Sequence, residues 1–396
     1  KHPLVCLFSL QAAPVRKAQR GCYLIALFIA AYFALAHTTP VYAVGEPPVT
    51  TTSLADDPFD GKCSLREALQ AAFNQKTTGK FSVTYNECSA SAGPTTITFA
   101  GDAASGILTL KPTDALLPMI IKEVIIVGPV TIRGSGPQPA NATHKDTRLF
   151  WVEGEGVLTL MNLTLQNAYT TGAGSAIFSL KSSTTINLIG VSIVDNTSEN
   201  NGGAISTAGV LNVTLSNFAG NKALGQPPEA AIPANGSGGA IAMESSGVLT
   251  VTRTMFNGNS AVNGGGAIYS TGRASLADTL FNGNIAHSKS DYQGGGAFYN
   301  ANTGTFALGG VVFNGNLAFK GGGGALYNAF NATGVISQTA FNGNISGDLN
   351  TAGRGGGLYN EGALVVTQAT FNANIAAGDG RGGGLLNNRK GTLQLT

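Results

Sequence analysis

A repeated tetrapeptide, F-x-x-N, constrains the fold of this chain more than any other feature of its sequence. Its Phe recurs every 25 to 38 residues, as Phe218, Phe256, Phe281, Phe313, Phe341 and Phe371. The Asn of the same motif is found at Asn221, Asn259, Asn284, Asn316, Asn344 and Asn374. A second motif, G-G-A-I-Y or a close variant, alternates with the first. Self-similarity at this period indicates a solenoid, in which each repeat packs against its neighbours.

The segments within each repeat are typical of strands and not of helices. They are short, they alternate apolar and polar residues, and Gly or Asn bounds them. A third, looser strand comes after the Gly-Gly motif, for example at residues 248–251 and 363–366. We therefore predict an all-β, single-stranded parallel β-helix over residues 95–396, with three strands per coil. Successive coils should lie about 4.8 Å apart.

The repeated motifs also predict which side chains face the core. The residue before each Tyr of the Gly-Gly motif is apolar and should point inward, so the Tyr should point outward. The Phe of F-x-x-N should stack in the core, one ring above the next. The Asn should lie at a corner, where it tolerates the left-handed backbone conformation. Equivalent Asn side chains in successive coils should then form a ladder.

Composition agrees with a solenoid and argues against other classes of protein. The 396 residues include 55 Gly, which suits many tight corners, and an apolar content of 43% excludes a disordered chain. The formal net charge is +2, and beyond the N-terminal region Lys and Arg form no run. Nucleic-acid binding is therefore disfavoured. We expect neither a cofactor nor a bound metal ion.

Residues 1–43 have the pattern of a secretory signal peptide. A basic segment precedes the apolar run 22–35, and Val41-Tyr42-Ala43 fits a small-residue cleavage site. A transmembrane anchor is the alternative, but it needs about 20 apolar residues and this run is shorter. The chain starts with Lys1 and stops in mid-pattern at Thr396. We expect a longer reading frame, so that any membrane attachment depends on a missing segment.

Residues 44–94 are predicted to form an N-terminal cap. Residues 64–73 have a helical pattern, in which Ser64 serves as N-cap and Glu67 completes a capping box. Such a helix would cover the open strand edge of the β-helix. In an exported protein, the single remaining pair, Cys63 and Cys88, predicts a disulfide worth about 3 kcal/mol. A metal site would need further ligands nearby.

Two stretches of the sequence resemble known families. Residues 57–69, D-P-F-D-G-K-C-S-L-R-E-A-L, resemble the C-S-L-R-E-A domain that begins many bacterial surface proteins, and residues 117–160 resemble the segment that comes after this domain in those proteins. The F-x-x-N and G-G-A-I repeats are similar to those of the polymorphic outer membrane proteins, which are autotransported adhesins. These resemblances imply a bacterial, right-handed β-helix that is secreted or lies at the cell surface. They transfer no catalytic residues.

An enzyme is an alternative interpretation, because polysaccharide lyases and hydrolases share this fold. They need clustered carboxylates, with bound Ca²⁺ or a basic partner in the lyases. The acidic residues of the coils are scattered along the sequence. The group that most resembles a catalytic set is Asp348 and Asp379 with Arg354 and Arg381. The favoured interpretation of this group is a solvated corner of ion pairs. Three carboxylates precede the helix, Asp56, Asp57 and Asp60. A simple turn is the favoured interpretation of these residues, and a calcium site is the weaker one.

The better candidate for a ligand site is the column of tyrosines in the Gly-Gly motif, Tyr269, Tyr299, Tyr327 and Tyr359. An exposed aromatic stripe would suit sugar rings or protein partners. Alternatively, the rings only stack on one another, beside a ladder of Asn300, Asn328 and Asn360. We expect an adhesin-like or structural surface protein whose ligand is a glycan or a cell-surface protein. A carbohydrate-active enzyme, or a passive stalk that displays a missing C-terminal domain, are the alternatives.

Overall fold

The computed structural model of the protein describes residues 49–51, 53, 60–137, 146–225, 236–287, 294–320 and 322–396. These residues all belong to one compact unit, Gly45–Thr396. The predicted signal peptide and the carboxylates of Asp56 and Asp57 lie outside them. Within the described ranges, no helix is both long and apolar enough to cross a membrane.

The described residues form a parallel β-solenoid with four sheets, and each regular coil adds one strand to each sheet. Sheet 1 contains Thr95–Ile97, Glu123–Val127, Val157–Met161, Thr185–Ile189, Val210–Thr214, Val248–Thr252, Arg273–Ala277, Thr305–Gly309, Thr333–Ser337, Ala363–Thr367 and Thr392–Leu395. Sheet 2 carries the Phe column and contains Ile107–Thr109, Thr131–Arg133, Thr164–Gln166, Ser192–Val194, Asn217–Ala219, Met255–Asn257, Leu280–Asn282, Val312–Asn314, Ala340–Asn342 and Thr370–Asn372.

The other two sheets complete each coil. Sheet 3 is built from two-residue strands, Tyr169–Thr170, Thr197–Ser198, Lys222–Ala223, Ser260–Ala261, Ile285–Ala286, Leu317–Ala318, Ile345–Ser346 and Ile375–Ala376. Sheet 4 carries the Tyr column and contains Phe150–Trp151, Ile177–Ser179, Ile205–Thr207, Ile241–Met243, Ile268–Ser270, Phe298–Asn300, Leu326–Asn328, Leu358–Asn360 and Leu385–Asn387. The predicted β-helix is confirmed, and sheet 3 adds a short fourth strand to the three expected in each coil.

The Phe column forms the centre of the core, as predicted. Phe218, Phe256 and Phe281 are fully buried, and their rings stack with centroids 4.8 Å apart. The stack continues through Phe313 and Phe341, at centroid separations of 4.9 and 5.0 Å. Because the sheets pair these strands residue by residue, identical side chains meet at the spacing of the coils. Burying each ring contributes about 1.5–3 kcal/mol to folding.

The Asn of F-x-x-N forms the predicted ladder, which we call the inner Asn ladder. In each rung the side-chain Nδ2 donates to Oδ1 of the next Asn, for example from Asn259 to Asn284 at 3.0 Å. The expectation that these Asn residues adopt the left-handed conformation is wrong. That conformation belongs to the preceding residue, such as Gly258 with φ 58°, so the Asn side chain turns inward and is fully buried.

The N-terminal cap has the predicted helix, Leu65–Thr78. Its capping box is present, since the Ser64 Oγ accepts from the Glu67 N–H at 3.2 Å and a Glu67 oxygen accepts from the Ser64 N–H at 2.8 Å. An antiparallel hairpin comes next, Ser82–Tyr85 with Cys88–Ser91. A 3-10 turn, Gly101–Ala103, lies among the first coils. The disulfide between Cys63 and Cys88 is confirmed, and it joins the helix start to the hairpin.

Candidate functional site

The Tyr column is part of one register position that runs through all of sheet 4. From the first coil to the last, this position holds Trp151, Phe178, Ser206, Ala242, Tyr269, Tyr299, Tyr327, Tyr359 and Leu386. Aromatic side chains therefore lie on both sides of two small residues, Ser206 and Ala242, and Leu386 ends the column. The sequence prediction located only the second aromatic group.

The four tyrosines point away from the Phe core, but they do not form an exposed stripe. Tyr327 is 4% exposed and Tyr359 is fully buried. Tyr299, Tyr327 and Tyr359 stack face to face, with centroids 4.9 and 5.2 Å apart, whereas Tyr269 meets Tyr299 edge to face. The expectation of an exposed aromatic face is wrong for Tyr327 and Tyr359, because the rings stack on one another and Tyr299 and Leu386 pack against them. Whether the column binds a ligand stays a prediction.

The Gly-rich corner before each Tyr strand contributes to this burial. A Cβ on Gly264 would lie 2.2 Å from the Cδ1 atom of the Tyr299 ring. The backbone at this corner therefore packs directly against the aromatic side chain. Only Gly permits this approach, since any larger residue would displace the ring.

Glu361 is the polar centre of the site at the C-terminal end of the Tyr column. Its Oε2 accepts from the Tyr327 hydroxyl at 2.5 Å, and its Oε1 accepts from the Tyr359 hydroxyl at 2.7 Å. The side-chain amide of Asn388 donates to Glu361 Oε1 and to the Tyr359 hydroxyl. Arg354 also donates to the Tyr359 hydroxyl, at 3.4 Å. One carboxylate thus connects side chains from three successive coils.

The electrostatics of this site keep Glu361 charged and the tyrosines neutral. Burial by itself would raise the pKa of Glu361, but hydrogen bonds from Tyr327, Tyr359 and Asn388, together with nearby Lys390, lower it. Burial is the main cause that raises the pKa of Tyr359 to about 12, and it raises the pKa of Tyr327 further. The phenols therefore remain hydrogen-bond donors to a carboxylate across the neutral pH range.

A groove opens beside this polar centre, with a volume of about 430 Å³. It forms because the turn 361–362 is shorter than the turns 301–304 and 329–332 of the two preceding coils. The groove is lined by Tyr299, Asn302, Thr303, Tyr327, Ala329, Phe330, Asn331 and Glu361. Phe330 is 50% exposed, and the Lys390 ammonium lies over its ring, 5.2 Å from the centroid. The ring therefore offers aromatic surface that the buried tyrosines do not, beside a cation.

A second aromatic cluster lies at the N-terminal end of the same register position. The Trp151 and Phe178 rings meet edge to face with centroids 5.5 Å apart. The guanidinium of Arg148 lies 4.7 Å from the Phe178 centroid and donates to the Gly174 carbonyl and the Thr170 hydroxyl. Arg148 is buried and hydrogen-bonded within the protein, so this cluster stabilises the first coils, and its two rings are half-buried.

The charged corner considered for catalysis is organised differently from a paired set of acids and bases. Arg354 and Arg381 face each other in a parallel β-bridge, and Arg354 reaches towards Tyr359. Asp348 accepts a hydrogen bond from a backbone N–H in its own turn, and Asp379 is exposed. A carbohydrate-directed activity at this corner stays a prediction.

The structure describes one of the three carboxylates considered for calcium. Asp60 accepts a hydrogen bond from the backbone N–H of Lys62 at 2.8 Å, which fits the turn that the sequence favoured. Within the described ranges of the chain, no group of three or more His, Cys, Asp and Glu side chains is arranged to hold a metal ion.

The outer face of sheet 2 carries a second asparagine column, which we call the outer amide column. It consists of Asn257, Asn282, Asn314, Asn342 and Asn372. These residues are the first Asn of F-N-G-N, or of F-N-A-N in the case of Asn372, so the sequence contained the signal, although only the second Asn was predicted to form a ladder. Glu361 and Phe330 were missed for another reason, since both lie in the turns between sheet 4 and sheet 1, where neither length nor residue type repeats regularly from coil to coil.

The repeats themselves match a known family over part of the chain. The sequence model of the Chlamydia polymorphic membrane protein (Chlamydia_PMP) repeat matches residues 253–271. This stretch contains Phe256, Asn259 and Tyr269, so it covers both repeated motifs. No curated protein and no solved structure matches the chain. The resemblance of residues 57–69 to a C-S-L-R-E-A domain stays a prediction.

Proposed function

We propose that this protein is a cell-surface, adhesin-like binding protein, and that the groove beside Phe330 and Glu361 is its ligand site. A polymorphic membrane protein-like repeat within a β-solenoid is consistent with a surface protein of adhesive or structural role. Export through the predicted signal peptide agrees with this location. The observation that carries the proposal is the groove, because there the regular coil surface opens beside a charged, aromatic-lined site.

The chemistry of the groove favours a saccharide as the ligand. Phe330 supplies an exposed aromatic face, on which the apolar face of a sugar ring can pack. Asn302, Asn331 and Thr303 supply donors and acceptors for hydroxyl groups along the two longer turns. Glu361 stays ionised and holds lone pairs that a sugar hydroxyl can reach. A few polar groups around an apolar platform are typical of small-molecule sites.

The test is binding of the purified chain to a glycan array and to a panel of cell-surface proteins. Phe330→Ala should weaken binding about tenfold or more, because it removes the exposed platform without opening the core. Leu349→Ala is a matched control, since Leu349 is also an exposed apolar side chain but lies outside the groove. Tyr327→Ala is a poor test, because loss of a buried, stacked ring would destabilise the coils.

Three results would contradict the proposal. The wild-type chain could bind neither a glycan nor a protein, Phe330→Ala could leave binding unchanged, or the control could lose binding to the same extent. Localisation is tested separately, by labelling intact cells with an antibody against the coils. Labelling that requires permeabilised cells would contradict a cell-surface location.

A further inference from the structure

The outer amide column is a repeated hydrogen-bonding surface that the groove does not use. The Nδ2 of Asn282 donates to Asn257 Oδ1 at 3.0 Å, and the same bond joins Asn314 to Asn282 at 3.2 Å. Asn342 continues the series, and Asn257 donates in turn to Asn217. These residues are half-buried, in contrast to the fully buried inner Asn ladder.

Each amide of the column keeps part of its hydrogen-bonding capacity free for a ligand. A primary amide has two N–H donors and two lone pairs on its oxygen. The bonds along the column use one N–H and one lone pair of each inner rung. The column therefore presents a donor and an acceptor at every coil, about 4.8 Å apart along the solenoid axis.

An apolar column runs beside the amides on the same face of the same strands. It consists of Met255, Leu280, Val312 and Ala340, and Met255 is 46% exposed. Neither column contains a charged residue. On the other side of the amides, Gly283, Gly315 and their equivalents leave the surface open, since a Cβ there would meet no atom within 4 Å. We call the two columns together the sheet 2 strip.

The dimensions of the sheet 2 strip argue against a second copy of the chain as its partner. Five coils at about 4.8 Å, and two columns about 7 Å apart, give a surface on the order of 170 Å². A stable protein interface needs about 800 Å² from each partner. A narrow polymer fits the strip better than a protein surface does.

We propose that the sheet 2 strip binds an extended, uncharged polysaccharide whose chain runs along the solenoid axis. One sugar residue of an extended chain spans roughly the rise of one coil, so consecutive residues meet consecutive rungs. The sugar hydroxyls pair with the free amide donors and acceptors, and the apolar ring faces pack on Leu280 and Val312. An uncharged polymer is favoured because the strip offers no counter-charge to an anionic one. This surface lies on sheet 2, away from the groove, so either proposal can fail while the other stands.

The test is affinity electrophoresis of the full chain through native gels that contain hydroxyethylcellulose or, separately, polygalacturonate. We expect retardation by hydroxyethylcellulose that added salt does not remove, because no ion pair contributes. The double variant Leu280→Lys and Val312→Lys places charge on the strip without removing an amide. Its apparent affinity for hydroxyethylcellulose should fall roughly tenfold or more.

A matched control carries the same two charges elsewhere. Thr250 and Ser275 are exposed on the outer face of sheet 1, so Thr250→Lys with Ser275→Lys should leave the retardation unchanged. Thermal melts of both double variants check that the coils remain folded. If the strip variant unfolds, Asn314→Gln serves in its place, since it keeps the amide but moves it out of register.

Several results would overturn the proposal. These are absence of retardation by hydroxyethylcellulose, retardation only by polygalacturonate, and an equal loss in the sheet 1 control. A sedimentation experiment tests whether a second copy of the chain occupies the strip instead. If the wild-type chain is a dimer that the strip variant converts to a monomer, the strip is a contact between copies and not a polysaccharide site.

Discussion

Replacing Asn284 by Ala should destabilise the solenoid far more than replacing Asn282, two residues earlier. Asn284 belongs to the inner Asn ladder and is fully buried. Its Oδ1 accepts from the backbone and the side chain of Asn259, at 3.1 and 3.0 Å. Its Nδ2 donates to the Phe256 carbonyl and to Asn316, at 3.0 and 2.9 Å. Ala at this position removes all four bonds.

The size of the stability loss in Asn284→Ala depends on the buried groups that lose a hydrogen-bond partner. The backbone N–H of Asn259 and one of its side-chain N–H groups become buried donors without an acceptor, each costing about 1–3 kcal/mol. The Phe256 carbonyl and Asn316 each lose one donor. We therefore expect Asn284→Ala to lower the free energy of unfolding by about 3–5 kcal/mol.

Asn282→Ala is the matched control, because it lies in the same coil and removes an amide of the same kind. The side chain of Asn282 bonds to Asn257 and Asn314 and is half-buried, so water can replace these bonds. The expected cost is below about 1 kcal/mol. Urea melts followed by circular dichroism measure both variants. Hydrogen exchange adds a coil-by-coil measurement, since a solenoid need not unfold in one step.

Similar destabilisation by the two variants would refute the reasoning, because Asn284 is fully buried and bonds to buried backbone groups, whereas Asn282 is half-buried and bonds to side chains alone. A loss below about 1 kcal/mol for Asn284→Ala would refute it as well. Faster hydrogen exchange should be confined to the coils around Asn284. Loosening spread evenly over the solenoid would contradict a local ladder.

Three further predictions concern single positions. Gly343 has φ 59°, and a Cβ at this position would meet open space, so only the backbone conformation disfavours a side chain. Gly343→Ala should therefore lower the free energy of unfolding by about 1 kcal/mol, and Ala373→Gly, at the same register, should raise the melting temperature. Ser270→Asn places an amide beside Asn300, whose buried Oδ1 has no hydrogen-bond partner, so the free energy of unfolding should rise by about 1 kcal/mol. An unchanged melting temperature would count against a stabilising ladder of Asn300, Asn328 and Asn360. The pKa of Glu361 is lowered in the folded protein, so its contribution to stability is complete above the ordinary carboxyl pKa of 4.5. This contribution is lost as pH falls from 4.5 through the lowered folded-state pKa, so Glu361→Gln should show less pH dependence of its melting temperature than wild type below pH 4.5.

Much of the fold was predictable because identical residues recur at identical places in each coil. The Phe stack and the inner Asn ladder result from the repeat, since in-register parallel strands bring equal residues together. The cap helix was predictable from Ser64 and Glu67, which form their capping box within one turn. In these cases the decisive contacts join neighbours in sequence or copies of one motif.

The candidate site was less predictable because it depends on differences between coils. Tyr359 has the same motif as Tyr269, yet it is fully buried while Tyr269 is only half-buried. The difference arises from its neighbours, including Leu386 and Asn388 in the next coil. Glu361 likewise gains its partners from three coils, and no pattern within one repeat identifies it. The left-handed position at Gly258 was missed because Gly and Asn both favour that conformation and stand side by side.

The groove beside Phe330 is tested most directly by a hydrogen-exchange footprint of the ligand that the glycan or protein array identifies. We expect protection of the turns 301–304 and 329–332, which form the walls of the groove, and a loss of this protection in Phe330→Ala. Protection that lies elsewhere on the solenoid, with these two turns unaffected, would contradict the groove as the ligand site.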